Sequence, residues 1–142
     1  MSGKAVFTYG TLQIPAIMTA VTGHAFKHHE ANLPGYVRYR IRKQVFPGIV
    51  PNKLRYVPGI VYQGLDADTV RLLDHFEDDL YERQTVEIEI AGKTQPAEAY
   101  VVARRHYGLL EKTSWSLEQF RSNYLQQYLE SCRRFRRIHV GD

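Results

Sequence analysis

Two short stretches of this chain carry residue types and spacing suited to chemistry. The first is Tyr9-Gly10-Thr11-Leu12, where an apolar strand ends and a helix is expected to begin. A glycine there lets the backbone take an unusual conformation and approach a ligand closely. The free N–H groups and dipole of a helix start favour an anion such as a carboxylate. A plain strand-to-helix turn accounts for the same four residues, so the motif alone does not decide. The second stretch is Asp74-His75-Phe76-Glu77-Asp78-Asp79. Acidic side chains at a helix C-terminus oppose the macrodipole and are unfavourable there. A partly buried Glu77 with a raised pKa would be a usable general base near neutral pH. A solvated helix end followed by a turn is the competing reading. Tyr81 and Tyr100 each fall beside a predicted strand near these stretches. Their hydroxyls could meet a polar ligand, or serve as the wet tips of core residues.

Other clusters point to chemistry less well. Asp74, Glu77, Asp78 and Asp79 could ligate a divalent metal, but they lack a regular ligand spacing such as the calcium loop. No metal site is expected. His24, His28 and His29 would need to converge to hold zinc. Adjacent His28 and His29 face opposite ways on a strand, so all three are read as surface or structural. Cys132 has no partner signature and nothing to stabilise its thiolate. Arg133, Arg134, Arg136 and Arg137 close a helix, where cations complement the dipole. No RNA motif or helix-turn-helix signal accompanies them, and no nucleic-acid partner is expected.

The elements that must position these residues follow from periodicity and punctuation. Lys4 to Tyr9 reads as a strand ended by Gly10, and Leu12 to about Ala20 as a short helix with Pro15 in its first turn, closed at Gly23. From His24 to Leu65 the chain is strand-like and broken at Pro34-Gly35, Pro47-Gly48, Pro51-Asn52 and Pro58-Gly59. Within it Val37, Tyr39 and Ile41 alternate with Arg38, Arg40 and Arg42, which predicts one buried and one wet face. Asp66 to Asp78 reads as a helix capped by Asp66 or Asp68, with Val70, Leu73 and Phe76 on its apolar stripe. Thr85 to Ile90 and Ala97 to Ala103 form a predicted hairpin around Gly92-Lys93. Ser116 opens the longest predicted helix, with Gln119 completing a capping box. Leu117, Phe120, Tyr124, Leu125, Tyr128 and Leu129 make its stripe. Strands in the middle with helices set apart predict an α+β domain with a curved sheet or small barrel.

The totals set the outer limits. At 142 residues the chain is one domain, residues 1–142, large enough to bury a core without staples. Apolar residues are 44% and charged residues 24%, which excludes wholesale disorder. Nineteen Lys and Arg against fifteen Asp and Glu give a formal charge of +4, too mild to argue for nucleic acid. One cysteine excludes an internal disulfide framework and fits a reducing compartment. No apolar run approaches a bilayer span and no secretory signal is apparent, so a cytoplasmic protein with no membrane partner is expected.

Four segments together resemble a known family. VFTYGTL (Val6 to Leu12), FPGIVP (Phe46 to Pro51), LLDHFEDDLYERQTVEIEI (Leu72 to Ile90) and AEAYVV (Ala97 to Val102) are similar in order and spacing to the gamma-glutamylcyclotransferase-like family. The likeness is greatest to its short plant and bacterial, avirulence-induced-gene-like branch, and runs from about Ala5 into the C-terminal helix. It implies an α+β fold built as a small mixed β-barrel with flanking helices. It implies a reaction in which the α-amine of a small γ-glutamyl substrate attacks its own γ-carbonyl, releasing 5-oxoproline and an amino acid or amine, with no cofactor. It places Glu77 at the catalytic position. Tyr9, Gly10, Thr11 and Leu12 match the loop whose amides hold the glutamyl group, and Tyr81 and Tyr100 match tyrosines lining the pocket. Two departures stand out: Asp78 where many relatives have Gly, and Thr11-Leu12 where some branches have Ser-Asn. Some proteins of this fold act on γ-glutamyl amines or antibiotic precursors, and others have no demonstrated activity. A non-catalytic binder of a small γ-glutamyl or carboxylate ligand is therefore the alternative function.

Overall fold

The computed structural model describes residues 3–141. It is a mixed α+β fold, as expected. Six strands run β1 (Lys4–Thr8), β2 (His28–Ile41), β3 (Pro47–Leu65), β4 (Tyr81–Ile90), β5 (Lys93–Val102) and β6 (Leu110–Glu111). Four helices flank them: α1 (Pro15–Thr22), α2 (Ala67–Glu77), α3 (Leu117–Asn123) and α4 (Leu125–His139). The sheet order is β3-β1-β5-β4-β2-β6, and β3 also pairs with β2. The sheet therefore curls until its pairings return to β3. Only β1 and β5 run parallel, meeting at Val6 and Glu98; the other pairs are antiparallel.

Both faces of β1 and β5 are covered, and that places the site. Val6 and Tyr100 belong to an outer core with Ile17, Met18, Leu73 and Phe120, beneath the helices. Phe7, Tyr9, Ala99 and Val101 belong to an inner core with Leu33, Ile49 and Val61. Successive residues of a strand point to opposite faces, so the C-terminal ends of β1 and β5 contribute side chains to both cores.

Local chemistry explains the helix bounds. Pro15 is the first residue of α1, and Gly23 closes it in the left-handed region at φ 80. The residues before Pro15 form a tight 3-10 turn, Thr11–Gln13, so the helix expected from Leu12 starts later. Asp66 rather than Asp68 caps α2, accepting from the Thr69 N–H at 2.8 Å. Val70 and Leu73 are buried, each stabilising the packing by roughly 1.5–3 kcal/mol. Ser116 caps α3 by accepting from the Gln119 N–H at 3.1 Å, as its capping position predicts.

Two expectations need correction. The proline pairs do not cut the middle of the chain into short strands. Pro47 opens β3, where a missing N–H costs least, and Pro34 and Pro51 flank a bulge at which the β2–β3 register slips. The bulge absorbs the break, and β3 continues for 19 residues. The last helix is not one rod. Tyr124, at φ −131 and ψ −11, interrupts it between α3 and α4, and its ring is exposed instead of joining the buried stripe.

Candidate active site

Glu77 is the last residue of α2. The helix stops because Asp78 turns to φ 62, ψ −161, while its N–H still bonds the Asp74 carbonyl. That backbone region is strained for any residue but glycine. The chain then makes one 3-10 turn, Asp78–Leu80, and enters β4 at Tyr81. Arg105 pins this turn: its guanidinium donates to the Asp79 carboxylate at 2.5 Å and to the Asp79 carbonyl at 3.0 Å. The Arg105 bond, with a second from His106, holds the Asp79 carboxyl below the usual range.

The Tyr9–Leu12 loop lies opposite. Tyr9 is buried and its hydroxyl donates to the Tyr100 carbonyl at 2.6 Å. A side chain at Gly10 would meet Pro47 Cδ at 2.8 Å, so this close approach requires glycine. The Tyr62 hydroxyl, buried in the core, donates to the Leu12 carbonyl at 2.7 Å, and Gln13 Nε2 donates to the Gly10 carbonyl at 3.1 Å. The Tyr81 hydroxyl donates to the Pro47 carbonyl at 2.6 Å. Each bond holds the loop or its neighbouring wall without occupying the loop's own N–H groups.

Between loop and helix end is a cleft with about 490 Å³ of empty space, counting its open mouth. Every residue singled out for the site lines it: Tyr9, Gly10, Thr11, Leu12, Glu77, Tyr81 and Tyr100. Six more complete it: Phe7, Thr8, Phe46, Pro47, Phe76 and Tyr128. Glu77 is partly exposed through the cleft, and loss of water around its carboxyl raises its pKa to about 8. Burial raises the tyrosine hydroxyls too: Tyr9, Tyr81 and Tyr128 for that reason first, with the Glu77 charge adding to it, and Tyr100 by burial and then by its bond to Asp74. All four stay protonated at physiological pH; Tyr9, Tyr81 and Tyr100 give their one proton to the Tyr100 carbonyl, the Pro47 carbonyl and Asp74, and Tyr128, which accepts from Thr11, keeps its own proton to donate. Among the described residues no Ser or Cys lines the cleft. Cys132 is in the core, where burial pushes its thiol up to about 12.

The remaining acidic residues do not gather around Glu77. Asp74 accepts from Tyr100 and Arg83, and Asp79 from Arg105. His28 packs against Tyr62 and His24 against Phe26, and no group of metal-binding side chains occurs among the described residues. Arg136 packs against Gly23 at the end of α1, and Arg133 pairs with Glu130. No described helix is long and apolar enough to cross a membrane.

Tyr128 was missed as a site residue. Its spacing places it in the apolar stripe, but its hydroxyl accepts from Thr11 at 3.3 Å across the cleft. The one signal in the sequence, a phenol tip in the stripe, is shared with the exposed Tyr124 and does not single Tyr128 out.

The model for gamma-glutamyl cyclotransferase, AIG2-like, matches residues 6–117. The chain belongs to this family. AIG2-like protein C of Arabidopsis thaliana is 31% identical over 95% of this chain and 81% of its own length. The solution structure of another Arabidopsis thaliana protein superposes with a TM-score of 0.70 at 27% identity, covering 95% of this chain and 89% of that one. A structure titled gamma-glutamyl cyclotransferase shares the fold at a TM-score of 0.68 and 16% identity, over 93% of this chain and 86% of its own. In this AIG2-like chain the helix-ending position after Glu77 keeps a glycine-type backbone while carrying Asp78.

Proposed function

We propose that this protein is a γ-glutamyl cyclotransferase. The observation that carries the reading is Glu77, a partly desolvated carboxyl with a pKa near 8, facing a loop of backbone amides across a cleft ringed by neutral hydroxyls. An α-ammonium group titrates at about 7.7–8.0 at a peptide N-terminus, and higher beside the free α-carboxylate of a γ-glutamyl compound. Raising Glu77 toward that range narrows the gap for proton transfer, which favours general acid–base catalysis.

In this mechanism the substrate brings its own nucleophile. Glu77 takes one proton from the γ-glutamyl α-ammonium. The amine attacks the γ-carbonyl and a C–N bond forms. Backbone N–H groups of the Tyr9–Leu12 loop hold the glutamyl carboxylate or the developing oxyanion. Glu77 returns its proton to the departing amine as the original amide bond breaks, and the second proton of the attacking nitrogen also passes to that amine, which leaves as an ammonium while the ring keeps one N–H. The products are 5-oxoproline and an amino acid or amine, and the carboxylate is regenerated. Folding the substrate into the attack geometry supplies up to roughly 7–11 kcal/mol, so a rigid, shaped cleft with no protein nucleophile suffices. Tyr81 and Tyr100 bound the pocket and orient the substrate. The substrate class is small γ-glutamyl compounds, the mechanism uses no metal or cofactor, and the protein acts in the cytoplasm.

Assaying 5-oxoproline release over γ-glutamyl dipeptides, glutathione and γ-glutamyl amines tests this. Release from at least one class, lost in Glu77→Gln, supports it. Calorimetric binding of these ligands with no release across the panel would replace it with the non-catalytic binder.

A further inference from the structure

Arg38 does not behave as the solvent-facing residue its strand pattern predicts. Arg40 and Arg42 on the same face are exposed, but Arg38 is only partly so. Its guanidinium carbon lies 5.6 Å from the centre of the Trp115 ring. Trp115 is itself buried and fixed, its indole N–H donating to the Val45 carbonyl at 2.8 Å. From that platform Arg38 Nη1 donates to the carbonyl of Tyr9 at 2.7 Å. Among the described residues no carboxylate pairs with Arg38. Withdrawing a guanidinium from water without a carboxylate partner is costly, so stability alone is a poor reason for this arrangement.

The Tyr9 carbonyl and the Gly10 N–H belong to one peptide unit. That unit is trans, so its N–H points away from Arg38. Gly10 lines the cleft, and among the described residues no protein acceptor takes its N–H. A charge-assisted bond to a carbonyl fixes the peptide plane and polarises the N–H on its other side into a stronger donor.

We propose that Arg38, seated on Trp115, is the positioning residue of the Tyr9–Leu12 loop, holding the Tyr9–Gly10 peptide so that the Gly10 N–H is an oriented, strengthened donor to a carboxylate or carbonyl oxygen of the ligand. This rests on the cyclotransferase reading for the identity of the ligand, though not for the effect on the peptide. Arg38 touches neither substrate nor Glu77; it acts through the backbone.

The direct test is the 15N–1H amide resonance of Gly10 in the unliganded protein, read in wild type, Arg38→Lys and Arg38→Met. Losing the bond to Tyr9 in Arg38→Met moves the Gly10 nitrogen upfield, while Arg38→Lys, which keeps a cationic donor, stays near wild type. Titration with 5-oxoproline weakens by about tenfold in Arg38→Met and by less than about threefold in Arg38→Lys, the scale expected for one charge-assisted bond. In turnover kcat/KM falls in Arg38→Met while the pH midpoint assigned to Glu77 holds. An unmoved Gly10 resonance in Arg38→Met, or Lys and Met variants equally impaired, overturns the proposal. Absence of turnover in wild type overturns the cyclotransferase reading instead, and the Gly10 resonance still decides the role of Arg38.

Discussion

The Tyr100 hydroxyl donates to Oδ1 of Asp74 at 2.7 Å, although Tyr100 lines the same cleft as Glu77. Asp74 lies three residues before Glu77 on α2, and the same oxygen also accepts from Arg83 Nε at 2.9 Å. Arg83 continues to Glu98 at 2.5 Å, and Glu98 to Thr85 at 2.7 Å. Tyr100 is thus oriented from behind the cleft, and Glu77 is left to meet the substrate. Replacing Asp74 with Ala should free the Tyr100 ring and lower kcat/KM by about tenfold, mainly through positioning. Steady-state kinetics beside Tyr100→Phe checks this: the double variant should be little worse than either single one, because both break the same bond.

Glu77 should make the fold less stable as pH rises. Its pKa is about 8 in the folded protein against an ordinary 4.5. Between those values the native state holds a proton that the unfolded chain has released. Unfolding free energy therefore falls as pH climbs through this window, and the loss is complete above about 8. Glu77→Gln removes the dependence. Its Tm should match wild type near pH 5 and exceed it at pH 9, each kcal/mol of lost wild-type stability moving Tm by about 3–6 °C for a domain of this size. A Tm difference that is flat from pH 5 to 9 would mean that Glu77 is not raised.

The same group should govern the pH dependence of turnover. The mechanism needs Glu77 ionised and the substrate amine still protonated, so kcat/KM should rise with pH toward about 8 and fall again as the substrate ammonium loses its proton. A profile already level at pH 6 would assign the base elsewhere.

Asp78 stores strain beside the candidate base. At φ 62, ψ −161 it sits where glycine is at ease and other residues lose about 1–3 kcal/mol. Asp78→Gly relieves that strain and loses part of the gain to the greater freedom of the unfolded chain. Denaturant unfolding should show a net stabilisation of about 0.5–1.5 kcal/mol. Asp78→Val should destabilise by more than that, because a β-branched side chain tolerates positive φ least.

How legible each part was in the sequence depends on how local its signal is. The Tyr9–Leu12 loop and Glu77 were readable because each is a short motif at the end of one element. The caps at Asp66 and Ser116 follow from side chains three residues from their partners. The length of β3 was hidden because Pro34 and Pro51 mark a strand end and a bulge with the same residue type. Tyr128 was hidden in a stripe whose neighbours are apolar, since only the folded chain shows Thr11 across from it. Arg38 was hidden most deeply. Its alternation with Val37 and Tyr39 predicts a wet face, and only the return of Trp115 from a distant segment covers it.

The most direct test of the central claim compares 5-oxoproline release by wild type and Glu77→Gln on the best substrate from the γ-glutamyl panel. The account predicts measurable wild-type turnover and a loss of about 10²–10⁴-fold in the variant, with its Tm preserved or raised. Turnover in Glu77→Gln within a few-fold of wild type would contradict it.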